Sequence, residues 1–178
     1  SVLEQRVIGP TLGKESLMKS LFAGIVGFVI IVVFMSVNYK KLGIIASCAL
    51  VIYTLITLAI FKLSSITPYG ITLTLSGIAG FVLSIGMAVD ANILIFERIK
   101  EELRAGKKRD VATEVGFTRA WSSIRDSNIS TLITSAILYE FGTGSVKGFA
   151  LVLAIGVLVS MFSAIYVTRT FLRFVYEN

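Results

Sequence analysis

Charged residues divide this chain into uncharged runs of nearly constant length, and that spacing leaves few folds open to it. Lys19 and Lys40 enclose 20 uncharged residues, and Lys41 and Lys62 enclose another 20. A helix of about 20 apolar residues crosses a hydrocarbon core about 30 Å thick. A third run, Leu63 to Val89, holds 27 uncharged residues and ends at Asp90; six more precede Glu97. A further run, Gly148 to Thr168, lies between Lys147 and Arg169. In lipid each backbone N–H and C=O must be satisfied inside the protein, which selects helices. The pattern predicts an all-α fold, a polytopic membrane helical bundle.

One more span is less obvious. Between Asp126 and Glu140 lie 13 uncharged residues, SNISTLITSAILY, too few to cross alone. Extended to Ile124 and Phe141 the segment can cross, provided its ends are covered by neighbours. Its Ser, Thr and Asn content places it inside a bundle rather than against lipid. A re-entrant or soluble segment is the alternative. Five spans result, at about 17–39, 42–61, 70–97, 124–141 and 148–168, within a transmembrane domain 16–176. Residues 1–15 precede the first span, and the chain, which opens at Ser1 without a methionine, reads as part of a longer protein. Pro10 and Pro68 fall in loops on this map, Ser64 to Gly70 forms an outward turn, and Gly142, Gly144 and Gly148 build another.

The loop 98–123 reads as helical in two pieces. ERIKEELRA continues the third span and stops at Gly106. Asp110 is a candidate N-cap for VATEVGFTRAWSSI. Val111, Val115 and Trp121 share a rough face that could lie at the headgroups. A basic solvated connector and a partner-binding element are equally open for this loop.

Composition narrows the function. The chain is 55% hydrophobic and 16% charged, against about 25% charged in a soluble domain. The net charge of +6 sits between apolar runs, which fits lipid and cytoplasm rather than nucleic acid. The loop 98–123 with Arg125 carries eight cations; Lys40, Lys41, Arg169 and Arg173 bring that side to twelve, and the other side holds five. The positive-inside rule then makes the loop and the C-terminus cytoplasmic and the N-terminus outward. A single cysteine, Cys48, allows neither an internal disulfide nor a thiolate metal site, and no histidine is present. A Ser/His/Asp set is therefore impossible, GTGSVKG lacks the P-loop spacing, and neither an enzyme nor a cofactor is expected.

Asp90 is the sharpest chemical signal. An ionised carboxylate at membrane depth costs several kcal/mol, so such residues face a bundle interior and mark function. Desolvation favours the protonated acid and a nearby cation the ionised one, so such a group can load and release a proton. Ala79, Leu83, Gly86, Asp90 and Glu97 fall close to one lane of the third helix. Gly77, Gly80, Ser84, Ala88 and Ala91 form an adjacent small-residue lane whose close packing could hide the acid. Asn128, Thr131 and Ser135 share a face of the fourth span and, with Asn92, are candidate polar contacts to Asp90. A structural acid and ordinary interhelical hydrogen bonding are the alternatives. Glu140 is either a proton-access point or an interfacial acid.

SGIAGFVLSIGMAVDANILIFERIKEELRAGK resembles the fourth-membrane-helix signature of the SecD/SecF family of protein-export membrane proteins. DSNISTLITSAILYEFGTGSVKGFALVLAIGVLVSMFSAIYVTR resembles that family's next two helices, and RVIGPTLGKESLMKS its link between an outward-facing domain and the membrane, which implies that residues 1–15 are that linker. ANILIFERIKEE is closer to the SecD branch than to the VVVFDRIRE-like run of SecF. The resemblance runs from about Arg6 to Arg173. It implies an RND-type proton-driven bundle in a bacterial or archaeal plasma membrane, paired with SecF and serving SecYEG, SecA and preprotein. By motif match Asp90 is the proton-relay acid, with its cationic partner on the sister subunit. The family's first membrane helix and outward-facing head have no counterpart here. An RND exporter of small molecules or lipids and a passive scaffold are the other readings.

Overall fold

The computed structural model describes residues 10–64, 66 and 74–176, with side chains from Glu15 to Phe174. Helices α1 (Pro10–Tyr39), α2 (Lys41–Ser64), α3 (Leu75–Arg104), α4 (Arg109–Phe141) and α5 (Gly144–Phe162) follow in order. A π-helical turn, Ser163–Thr168, then leads into the short α6 (Arg169–Tyr176). No strand occurs among the described residues. Four stretches are long and apolar enough to cross a membrane: Glu15–Tyr39, Lys41–Ser64, Leu75–Arg104 and Gly144–Phe174. The segment 124–141 lies inside α4, whose polar content keeps it below that measure.

Several expectations are corrected. Pro10 opens α1 instead of lying in a loop, a position that suits a residue with no N–H to offer. Pro68 and most of the turn 64–70 lie outside the described residues. The segment 98–123 is helical in two pieces, as its sequence indicates, with α3 running on to Arg104 and α4 starting at Arg109; what the sequence did not indicate is that the second piece continues unbroken to Phe141. Gly106, at φ +83°, makes the stop. Lys108, not Asp110, occupies the N-cap of α4; Asp110 lies in the first turn, where its charge meets the helix dipole. The buried face of this extension is Ala112, Thr113, Gly116, Phe117 and Ala120, whereas Val111 is exposed and Val115 and Trp121 are half-buried.

Helix α3 is the axis of the bundle and touches α1, α2, α4, α5 and the π turn. Among the described residues, helix α1 meets only α2 and α3 and leaves Phe22, Ile25, Val29, Ile30, Val33 and Val37 exposed. Facing lipid, such a surface needs no protein cover. Lys40, at φ +50°, turns the chain from α1 into α2 in one residue. A Cβ on Gly43 would lie 2.0 Å from the Met35 carbonyl oxygen, so only glycine lets the hairpin close.

The tightest helix contacts are also made at glycines. A Cβ on Gly80 of α3 would stand 2.7 Å from the Phe149 carbonyl of α5. One on Gly156 of α5 would stand 2.4 Å from Ser84 Cβ, and one on Gly116 of α4 would meet Ile99 Cα of α3 at 2.8 Å. Without a hydrophobic drive between helices in lipid, such close van der Waals contact is what holds a bundle together. Overpacking a filled site costs about 1–3 kcal/mol. We expect Gly80→Leu and Gly156→Val to lower the thermal midpoint of the detergent-solubilised protein by several degrees. Gly27→Ala, at a position with nothing within 4 Å, leaves it unchanged. Equal midpoints for all three would show that these approaches do not stabilise the bundle.

Candidate functional site

The two lanes of α3 part company. Gly77, Gly80, Ser84, Ala88 and Ala91 are all buried, whereas Ala79, Leu83 and Asp90 are exposed on this chain. The small-residue lane meets α5, with Val152 beside Gly77 and Phe149 beside Gly80. Ser84 also binds the Tyr53 hydroxyl of α2, Oη to Oγ 2.7 Å, and donates to the Phe81 carbonyl at 2.7 Å. The small lane therefore fixes the rotation of α3 and does not shield the acid, contrary to expectation.

Asp90 lies in a groove of about 270 Å³ between α3 and α4. Met87, Ala91 and Leu94 line it from α3, and Ile124, Ser127, Asn128 and Thr131 from α4. None of these neighbours is charged. Ser127 Oγ donates to the Ile124 carbonyl and Thr131 Oγ1 to the Ser127 carbonyl, at 3.0 and 3.1 Å. Their protons are thus already committed to α4's own backbone. Asn128 is buried in the groove wall. The Asp90 carboxylate makes no hydrogen bond or ion pair among the described residues.

The other polar candidates scatter. Asn92 is buried, but its Oδ1 accepts from Thr168 Oγ1 at 2.8 Å on the side of the π turn. It is therefore not a contact of Asp90: two residues along a helix turn the side chain by about 200°. Ser135 is buried with its Oγ unpartnered and does not line the groove. Glu140 is exposed at the end of α4, beyond the groove.

Sequence reasoning missed the ion pairs at the charge-rich end of the bundle. Glu102, with a side chain only 5% exposed, receives both Lys107 and Arg119, so the end of α3 is bound to the turn and to α4. Glu114 of α4 takes both Arg169 and Arg173 of α6. The Arg169 guanidinium also lies 5.1 Å from the centre of the Phe117 ring. Arg125 and Asp126 pair at 3.0 Å, as neighbours in sequence can. Only the last was readable without the fold.

Comparison with known proteins places this geometry. The family model for the C-terminal part of the protein export membrane proteins SecD/SecF matches residues 1–178. Protein translocase subunit SecD of Synechocystis sp. is 58% identical over 171 residues, covering 96% of this chain and 35% of the relative. Its counterpart from Thermobaculum terrenum is 52% identical over 178 residues, covering 98% of this chain and 34% of the relative. The crystal structure of SecDF, a translocon-associated membrane protein from Thermus thermophilus, superposes with a TM-score of 0.90 at 42% identity. That match covers 97% of this chain and 23% of the other. SecDF in its super-membrane-facing form gives 0.81 at 42% identity, covering 95% and 22%. This chain thus spans about a third of the curated relatives it matches.

The Glu114 clamp titrates predictably. Hydrogen bonds from Arg173 and then Arg169 hold its carboxyl below the ordinary 4.5, against a smaller opposing effect of desolvation. A carboxylate with a lowered folded-state pKa adds stability above its unfolded value, and that stability is lost as pH falls through the lowered one. Protection of the α6 amides from hydrogen exchange, corrected for intrinsic rate, is therefore expected to hold from pH 7 to about pH 5 and to fall below about pH 4. Glu114→Gln is expected to show the faster exchange already at pH 7. Protection that is independent of both pH and this substitution would remove the clamp from the account.

Proposed function

This chain belongs to the SecD/SecF family of protein export membrane proteins, and from that membership we propose that it is the membrane part of a SecD-type subunit that uses the proton gradient to assist preprotein export. Asp90 is the proton-relay acid. The partners are a SecF-type sister subunit against the α3–α4 face, the SecYEG channel, the SecA motor and the preprotein. The charge-rich end faces the cytoplasm and the start of α1 faces outward, as the twelve-to-five distribution of cations favours. Helix α4 crosses the membrane among its neighbours, with Asn128 and Ser135 buried against them.

One observation carries the proposal: a carboxylate on an apolar helix, beside Asn128 and Thr131, with no counter-charge lining its groove among the described residues. Left against lipid, an ionised Asp90 costs several kcal/mol. A cation on a second subunit would stabilise the ionised form, and proton uptake would release that cation. Two packings of the subunit pair follow, one for each charge state. A proton moving through about 100 mV supplies about 2.3 kcal/mol, more than the roughly 0.6 kcal/mol of an average membrane hydrogen bond. The gradient can therefore drive exchange between the two packings.

The test is Asp90→Asn in the full-length protein with its partners in inverted membrane vesicles. Preprotein translocation is measured with and without a proton gradient. The variant keeps the size and hydrogen bonding of the side chain but cannot titrate. It is expected to lose the gradient-dependent stimulation, by up to roughly fiftyfold, the factor that 2.3 kcal/mol represents. Co-purification with the sister subunit is expected to persist. Undiminished stimulation in Asp90→Asn would leave the acid as a packing residue and the chain as a scaffold.

A further inference from the structure

Six threonines on the helices of this protein share one habit. Thr54, Thr57, Thr113, Thr118, Thr131 and Thr134 each donate to the carbonyl four residues back in their own helix. Thr168 breaks it. Its hydroxyl leaves its own helix and donates to Asn92 Oδ1 of α3 at 2.8 Å, with both residues buried. Thr168 is also the last residue of the π turn, whose first residue, Ser163, donates to the Ala49 carbonyl of α2 at 3.4 Å. Side chains or backbone of other helices thus hold both ends of the turn.

We propose that Asn92 and Thr168 are a positioning pair that relays the charge state of Asp90 to the π turn and, through it, to the clamp between α6 and α4. The proposal rests on the proton reading of Asp90. Asp90 and Asn92 are two residues apart on one helix and project to roughly opposite sides, about 200° apart. A small tilt or slide of α3 that follows a change of charge at Asp90, short of the rotation its contact with α5 forbids, therefore moves Asn92 as well. Thr168 feels it directly, because a hydrogen bond at 2.8 Å does not survive a shift approaching 1 Å.

The π turn can convert such a shift into a larger one. A π turn holds one residue more than the α register it interrupts. Relaxing it to α turns the following residues by about 100° and moves them by about 1.5 Å. The next residue is Arg169, which with Arg173 holds Glu114. Glu114 belongs to α4, and α4 supplies Asn128 and Thr131 to the wall of the Asp90 groove. The connection is a closed circuit: acid, α3, Asn92, Thr168, π turn, arginines, α4 and back to the acid. Neither Asn92 nor Thr168 titrates, and the residues lining the groove around Asp90 carry no charge. Glu114 is the other titratable group of the circuit, but Arg173 and Arg169 hold it ionised except in acid, so near neutral pH the proton signal starts at Asp90.

The experiment is a double-mutant cycle read as a distance. Spin labels are attached at Thr118→Cys on α4 and Thr170→Cys on α6, both exposed positions, in full-length protein carrying Cys48→Ser, in nanodiscs with its sister subunit. Asp90→Asn is expected to shift the distance distribution between the labels. Thr168→Val, which keeps volume but removes the hydroxyl, is expected to reduce that shift in population by roughly threefold or more, the factor of an average membrane hydrogen bond. Thr168→Ser, which keeps the hydroxyl, is expected to restore it. A purely structural role for Thr168 would move the distance equally with or without Asp90→Asn, and that result overturns the proposal. So does a distance unmoved by Asp90→Asn in a protein whose gradient-driven export the same substitution abolishes. Export that survives Asp90→Asn overturns the proton reading itself, and the relay with it.

Discussion

Helices α3 and α5 meet backbone to backbone, and that contact decides which way every other side chain of α3 points. Gly80 faces the Phe149 carbonyl and Ser84 faces Gly156 at separations no larger residue tolerates. A helix held this closely cannot rotate without a clash. With its small-residue lane locked onto α5, α3 must present Asp90 to the groove with α4 and Asn92 to the π turn. Membrane helices gain nothing from hiding apolar area against one another, so short-range contact sets this geometry. Tyr53 adds a polar tie to the same spot through Ser84, joining α2 to the locked pair.

A locked axis also explains why the bundle is tied so differently at its two depths. At the charge-rich end, α3 is bound to α4 through Glu102, and α4 to α6 through Glu114, each acid meeting two cations of this same chain. Exposed pairs of this kind are individually weak, about 0.2–1 kcal/mol. Glu102 differs because its carboxylate is buried, and removing both cations there would leave its charge uncompensated. In the apolar depth the ties between helices are neutral: a tyrosine to a serine, a threonine to an asparagine, a serine to a carbonyl. Neutral donors and acceptors can part and re-form without stranding a charge in lipid. That suits the part of the protein assigned to move.

The sequence disclosed what depends on local constraint and concealed what depends on distant contact. Uncharged runs located the long apolar helices because lipid thickness acts on each segment separately. The lane containing Gly77, Gly80 and Ser84 was visible at helical spacing, but not the helix it faces. Asn92 looked like a neighbour of Asp90 because the two are close in sequence; the helical turn places them on different faces. The π turn leaves no mark in SAIYVT, since its ends are held by residues 49 and 92. The continuity of α4 was hidden for a related reason: its polar first half is held against α3 by Gly116 and Glu102, neither of which reads as a span. The Asp90 groove was half legible. Asn128 and Thr131 could be named from their spacing, whereas the exposure of the acid could not.

That exposure is the most informative disagreement. Every other acid drawn into the packing, Glu102 above all, is neutralised within the chain, so the fold is able to pair carboxylates with its own cations. At Asp90 it does not, although the net charge of +6 leaves cations to spare. Among the described residues, none of them lines the groove. An unpaired carboxylate on an apolar surface is stable in a membrane only when protonated or when another molecule covers it. Protonation and coverage by a cationic partner are mutually exclusive ways to satisfy the same group. On the proposed reading, a surface where the two compete couples proton activity to subunit contact.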